Sequence, residues 1–208
     1  MTLPPSDWLD LRHAATDRPI IVVVGERRLL AIDGVGAPTG SDYRLASETL
    51  RAGLRMLHRP LAGPRPASPR PTVLETAWWT HPELPTMDLP DAFEDRSTWH
   101  WQQMVEMPKE VTDAEIDAAI RSTQQAAGRS QPLMRPITLI EGRAAQMLHL
   151  GGASAAPRTL RTLFTLLAAD GLRPRGHIHE LRIAEEGTVP TDRVRSILRI
   201  PIESDLPS

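Results

Sequence analysis

Residues 73–79 read VLETAWW and residues 177–183 read HIHELRI, and each stretch follows a long amphipathic helix that opens after a glycine turn. In the first case a strand runs into Gly34-Val35-Gly36. A helix over 42–58 then carries Tyr43, Ala46, Leu50, Leu54 and Leu57 three or four residues apart. In the second, a strand runs into Gly151-Gly152, and a helix after Pro157 carries Leu160, Leu163, Phe164 and Leu167 on one face. The two halves form an internal repeat. The expected fold is therefore α+β, with duplicated β-α-β-β units forming an antiparallel sheet. Two long helices cover one face, and a ligand cleft is expected on the other.

The remaining elements follow from the same reading. Short strands are expected at 20–24 and 27–33, then at 72–80 and 99–107. Thr112 and Glu115 have capping-box spacing at the start of a helix over 111–127. Strands at 137–141, 143–151, 177–184 and 197–202 complete the second half. Residues 60–71 (PLAGPRPASPRP) are too rich in proline for regular structure, and the acidic, Pro-broken stretch from Thr80 to Ser97 reads as a loop. The expected organisation is an arm at 1–26, one domain at 27–203 with halves of about 27–108 and 109–203, and a tail at 204–208.

Composition narrows the function classes. A formal charge of −2 gives no broad field for nucleic acid, and no apolar stretch approaches the roughly 18 residues of a membrane span. Without cysteine there is no disulfide, thiolate nucleophile or thiolate-held metal. The N-terminus lacks the order of a signal peptide, so a cytoplasmic location is the expectation. No direct nucleic-acid or membrane partner is expected.

The chemistry concentrates in the tryptophans. Trp78, Trp79, Trp99 and Trp101 crowd into a short stretch of a chain that holds one Tyr and two Phe. Such rings suit the grip of a planar ligand, although tryptophan is also an ordinary core residue. Glu75 lies among the rings, and Glu180 holds a similar place in the second half. A carboxylate in a partly dry aromatic site has its charged form disfavoured, which raises its pKa and makes it a usable base. The alternative is that each glutamate pairs with an arginine, Arg182 being the nearest candidate for Glu180. His177-x-His179 has the look of metal-ligand material but lacks a third local ligand, and no metal site is expected. The glycine turns lack the longer phosphate-loop patterns.

Taken in order, AIDGVGAP (31–38), VLETAWW (73–79), WHWQQMVEMPKEVT (99–112), MLHLGG (147–152), GHIHELRI (176–183) and SILRIPI (196–202) resemble the GyrI-like small-molecule-binding family. The likeness is to its stand-alone branch, which carries an acid followed by a double-Trp strand and lacks a DNA-binding domain. The resemblance implies a duplicated β-α-β-β fold with its cleft between the repeats, and an acid facing the pocket at the position of Glu180. Some members of that branch hydrolyse cyclopropane-bearing, DNA-alkylating indole antibiotics. Others are known only as binders.

This chain departs from the family pattern. Gly152-Ala153 stands where Pro-Tyr is common, and Leu50, Leu54 and Leu57 stand where the first long helix commonly has tyrosines. A pocket phenol is therefore expected to be missing from its usual place.

The resulting expectation is a planar aromatic small-molecule partner held by Trp78, Trp79, Trp99 and Trp101, with Met104 and His149 joining the ligand-binding set. Glu180 is the expected base and Glu75 the second carboxyl in a cofactor-free hydrolysis of a strained cyclopropane, serving detoxification or self-resistance. A module that sequesters lipophilic or cationic drugs without turnover is the rival, and a protein docking on another macromolecule is a third reading.

Overall fold

Glycine punctuates both halves at corresponding places. Gly36 and Gly151 follow the first strand of each unit with φ of 113° and 103°, a left-handed conformation that a side chain resists. The chain can thus leave the sheet and enter a helix twice in the same way. The computed structural model describes residues 15–58, 73–81, 88–127, 132–184 and 189–204. Residues 1–14 of the expected arm, the proline-rich segment 60–71 and residues 205–208 of the tail lie outside the described residues.

The elements run β1 (Ile20–Val35), α1 (Ser41–Leu57), β2 (Leu74–Trp79), a short α2 (Leu89–Ala92), β3 (His100–Glu106), α3 (Asp113–Ala127), β4 (Arg135–Leu150), α4 (Ala156–Ala169), β5 (Leu172–Pro174), β6 (Ile178–Ala184) and β7 (Arg195–Ser204). Two expected strand pairs are each a single long strand. β1 continues through Gly25 and β4 through Gly142, because the two strands pair with each other antiparallel from Ile20↔Gln146 to Ala31↔Arg135. Residues 20–26 therefore belong to the sheet and not to an arm. The capping box of α3 forms: Glu115 Oε2 accepts from the Thr112 amide at 2.9 Å, while the Glu115 amide donates to Thr112 Oγ1 at 3.3 Å.

The repeat is visible in the pairing. β1 and β2 flank β3 in the first unit, and β4 and β6 flank β7 in the second. β2 then pairs with β6, and β1 with β4, so six strands close into an antiparallel ring. Helices α1 and α4 both cover its outer face. Leu50, Leu54 and Leu57 of α1 and Leu160, Leu163 and Leu167 of α4 share one core with Leu30, Ile32, Trp78, Leu198 and Ile200 of the strands. α3 packs on α1.

The α+β class, the antiparallel sheet and the two long helices on one face are as expected, and the opposite face is enclosed by the ring. Closure turns that face inward, where a six-stranded ring leaves room only for side chains. It is filled by Leu29, Ala31, Ala77 and Met104 and by the buried polar side chains of Arg27, Glu75, Glu141, Gln146, His179 and Arg199.

Candidate functional site

Register decides which candidate residues meet. Thr76 pairs with Glu180 and Trp78 with Ile178 across β2 and β6, and Trp78 pairs with Trp101 across β2 and β3. Side chains alternate along a strand, so Thr76, Trp78, Trp99, Trp101 and Glu180 share the helix-covered face. Glu75, Ala77, Trp79, Met104 and His179 point the other way. The two glutamates therefore do not share a cavity, and Glu75, Trp79 and Met104 are separated from Glu180 by the sheet itself. The pseudo-twofold axis explains why. It passes through the Thr76↔Glu180 pair, so the counterpart of Glu180 is Thr76 and the counterpart of Glu75 is His179. The apparent Glu75/Glu180 correspondence is one residue out of step, and one residue reverses the face.

On the helix side, Glu180 Oε2 accepts hydrogen bonds from Arg96 Nη1 at 2.8 Å and from Trp78 Nε1 at 3.2 Å. The Arg96 guanidinium lies in the corner of two nearly perpendicular rings, 4.4 Å from the Trp78 centroid and 4.4 Å from the Phe93 centroid. Tyr43, from the first turn of α1, stacks on Trp78. Its ring lies 5.4 Å from Trp78 at an interplanar angle of 10° and meets Trp101 edge-on at 5.1 Å. Gln103 holds that turn in place, its Nε2 donating to the Tyr43 carbonyl at 2.8 Å while its Oε1 accepts from Ser47 Oγ at 2.9 Å. Trp101 can lie flat here only because Gly34 has no side chain: a Cβ there would stand 2.2 Å from the indole.

Charges in this box differ from the sequence expectation. Burial alone would raise the Glu180 pKa, but Arg96, then Arg182, more than offset it and hold the carboxyl at about 2. Glu180 is an ionised acceptor and, beside Arg96, a weak base. Arg182, the arginine suggested as the ion-pair partner of Glu180, lies 4.8 Å over the Tyr43 ring and adds to the charge that lowers the Glu180 pKa, and Arg96 makes an ion pair with Glu180 at 2.8 Å.

Tyr43 supplies a phenol, though from a different place than the missing family tyrosines. Its hydroxyl lies 2.7 Å from Thr76 Oγ1, and burial pushes its pKa up to about 12. His149 shares this side of the sheet and packs under α4, with Nδ1 3.0 Å from Thr159 Oγ1 and Nε2 3.2 Å from the Gly152 carbonyl. The carbonyl can only accept, so Nε2 carries the proton and Nδ1 accepts from the threonine. Burial lowers the His149 pKa, in keeping with a neutral ring.

The inward face has a different chemistry. Arg27 donates through Nη1 and Nη2 to both oxygens of Glu75, at 2.7 and 3.0 Å, and Nη2 also reaches Glu141. Arg199 donates to both Glu141 oxygens and to Gln146 Oε1. His179 Nδ1 lies 2.6 Å from Glu75 Oε1. Burial would raise the Glu75 pKa, but Arg27 and His179 outweigh it and hold the carboxyl well below the usual range. Glu75 is thus not a protonated acid. Glu75, Glu141 and His179 place donor atoms within 4.8 Å of one another, as a metal would require. Here two guanidiniums already neutralise the two carboxylates, and the cluster is a closed ion network. Trp79 lies beyond it on the same face, stacked against His177 at 4.5 Å and His100 at 5.8 Å.

Sequence reasoning missed Arg96, Phe93 and Tyr43 as neighbours of Glu180. The available signal was Arg96 itself, a lone cation inside DAFEDRSTW at 91–99. That same segment lines a surface depression of about 510 Å³ whose walls include Asp91, Glu94, Asp95 and Trp99. Neither glutamate candidate lines it. Phe93 connects the two places, lying edge-on to Trp99 at 5.3 Å and to Trp78 at 6.4 Å. Among the described residues, no helix is long and apolar enough to cross a membrane.

No family model matches the chain, and no curated protein matches it significantly. Solved structures do share its fold. An uncharacterized conserved protein from Listeria innocua is 22% identical, with a TM-score of 0.77 over 92% of this chain and 95% of that one. A hydrolase encoded by lin2189 from Listeria innocua is 23% identical, with the same TM-score and the same coverage of both chains. The EcmrR C-terminal domain is 9% identical, with a TM-score of 0.57 over 90% of this chain and 98% of that one. At such identities the likeness establishes a common fold.

Proposed function

We propose that this chain is a GyrI-like small-molecule-binding protein whose Glu180 box takes a planar aromatic ligand bearing a cation. The observation that carries this reading is an ionised carboxylate set among Trp78, Tyr43, Trp101 and Phe93 with a cation already against it. Each cation–π contact contributes roughly 0.5–2 kcal/mol, and the carboxylate adds charge pairing in a partly dry site. An acridinium dye should quench the tryptophan fluorescence of the wild type. Glu180→Gln should weaken its binding by about tenfold or more while the fold is kept. Unchanged affinity in folded Glu180→Gln excludes the box as the binding site.

A second reading is cofactor-free hydrolysis, favoured by the shared fold with the Listeria innocua hydrolase. In a cyclopropane conjugated to a dienone, water attacks a ring carbon and a ring C–C bond breaks. The electron pair passes to the dienone oxygen as a phenolate, and the proton released by water, carried first by the base, ends on that oxygen. Glu180 is the only one of the two sequence candidates on the helix side and would take the water proton, with Tyr43 as the nearby phenolic donor. A carboxylate with a pKa of about 2 accepts a proton poorly, so this chemistry requires Arg96 to withdraw first. Mass spectrometry of a cyclopropane-bearing indole incubated with the protein should reveal a product larger by one water. Recovery of the input unchanged from a tightly bound complex leaves the binding function alone.

A further inference from the structure

The cation now in the Glu180 box belongs to the protein. A flat, delocalised guanidinium packed in the corner of two nearly perpendicular aromatic rings, with one N–H on a carboxylate, is how an aromatic amidinium or guanidinium ligand would also be held. Arg96 fills this place completely, being 3% exposed. It fills it poorly in hydrogen bonds. Among the described residues Nη1 makes its one side-chain bond, to Glu180, while Nε is buried with no partner, as are the neighbouring Trp101 Nε1 and, on the inward face, Arg27 Nε; the difference from Arg27 lies in the number of bonds made by Nη1 and Nη2. Arg27 and Arg199, on the inward face, each place three hydrogen bonds on carboxylate or amide oxygens. Those two have the bonding of fixed structural residues; Arg96 has the bonding of a tethered occupant.

Its attachment to the chain also differs. Arg27 and Arg199 project from the middle of paired strands, whereas Asp95 and Arg96 lie in neither helix nor strand. Withdrawing the Arg96 side chain breaks its ion pair with Glu180 and two ring contacts, leaves that carboxylate with the Trp78 hydrogen bond and the charge of Arg182, and leaves the sheet ladder intact. The segment that carries it is also the wall of the acidic depression, through Glu94 and Asp95 and through Asp91, which Arg161 already pairs. A cation drawn to those carboxylates arrives beside the segment that closes the box.

We infer that Arg96 is an internal substitute for the cationic part of the ligand, closing the Glu180 box in the free protein and giving way when a planar amidinium- or guanidinium-bearing aromatic enters. This rests on the small-molecule reading of the box. It makes Arg96 a specificity-determining residue. A ligand must bring both a delocalised cation and enough aromatic surface to displace a tethered group whose effective concentration is in the millimolar range or above. Affinity is reduced by the fraction of time the box is open, so removal of Arg96 strengthens binding.

The test uses benzamidinium, a planar amidinium with one ring, against the wild type and Arg96→Ala, read by tryptophan fluorescence and thermal unfolding. Saturable binding to Arg96→Ala is expected at least tenfold tighter than to the wild type, with a rise in Tm on ligand addition. It should disappear in Arg96→Ala/Glu180→Gln. If Arg96→Ala does not fold, Arg96→Met keeps an apolar stem against Trp78 and Phe93 without the charge and carries the same expectation. Equal affinity in wild type and variant, no binding to either, or full retention in the double variant overturns the inference. The acridinium titration separates this outcome from failure of the box itself. A dye that binds wild type and Arg96→Ala equally, and is lost in Glu180→Gln, leaves the box standing and removes Arg96 as its gate.

Discussion

The two faces of the sheet carry the same residue types to opposite ends. Both set a buried carboxylate against a guanidinium, and both glutamates are held ionised. On the inward face, two arginines and two glutamates neutralise one another across four strands, with His179 and Gln146 taking further bonds. On the helix face Arg96 meets Glu180 through one hydrogen bond among rings, with Trp78 Nε1 as a second donor to that carboxylate and the charge of Arg182 acting on it as well. The first arrangement stabilises the closed ring. The second is built from replaceable contacts, which a binding site requires.

The largest effect expected from breaking this contrast is on the inward network. Arg27→Met leaves Glu75 with His179 in place of a guanidinium and takes one of two arginines from Glu141, and breaking a buried pair in this way costs roughly 3–5 kcal/mol. Urea unfolding should show that loss, whereas Arg96→Met should lose markedly less. Comparable losses in the two variants would mean that both arginines are structural.

Acid sharpens the same comparison. Both folded carboxyls lie below the unfolded value of about 4.3, so their stabilisation is fully present above that pH and is lost as pH falls toward the folded values. Stability should be flat above about pH 5 and decline toward pH 2. Glu75→Gln should flatten this decline more than Glu180→Gln does, as monitored by Tm across pH. A decline abolished by Glu180→Gln and untouched by Glu75→Gln would reverse the assignment.

A middle-sized effect is expected at the floor of the box. Gly34→Ala places a methyl group inside the Trp101 indole and forces it to move, costing about 1–3 kcal/mol and weakening acridinium binding. A variant with unchanged Tm and near-ultraviolet circular dichroism would show that Trp101 is not fixed there.

How much of this was legible in the sequence depends on the kind of information. Helical spacing in Tyr43, Ala46, Leu50, Leu54 and Leu57 revealed α1, and the Thr112/Glu115 pair revealed the start of α3. Alternation within VLETAWW and HIHELRI sorted each strand into two faces. Alternation in one strand does not say which of its faces matches a face of the next, because that depends on pairing register. Glu75 and Glu180 were joined by that ambiguity. Arg96 was hidden for another reason: it lies in an irregular acidic segment where no periodicity connects it to the strand it meets 84 residues later.

The smallest effect is expected at Trp79. It is partly exposed and stacks on His177 and His100 on the face away from Glu180. Trp79→Ala should cost about 0.5–1.5 kcal/mol of stability and leave acridinium affinity within twofold. A tenfold loss would extend the binding site across the sheet.

The central claim is that Glu180, and not Glu75, faces the ligand. The most direct measurement is calorimetric titration of acridinium into Glu180→Gln and Glu75→Gln, each corrected for its folded fraction. The structure predicts about tenfold or greater loss of affinity in Glu180→Gln and wild-type affinity in Glu75→Gln, despite a lower Tm in the latter. Wild-type affinity in Glu180→Gln with loss in Glu75→Gln would contradict it and move the site to the inside of the ring.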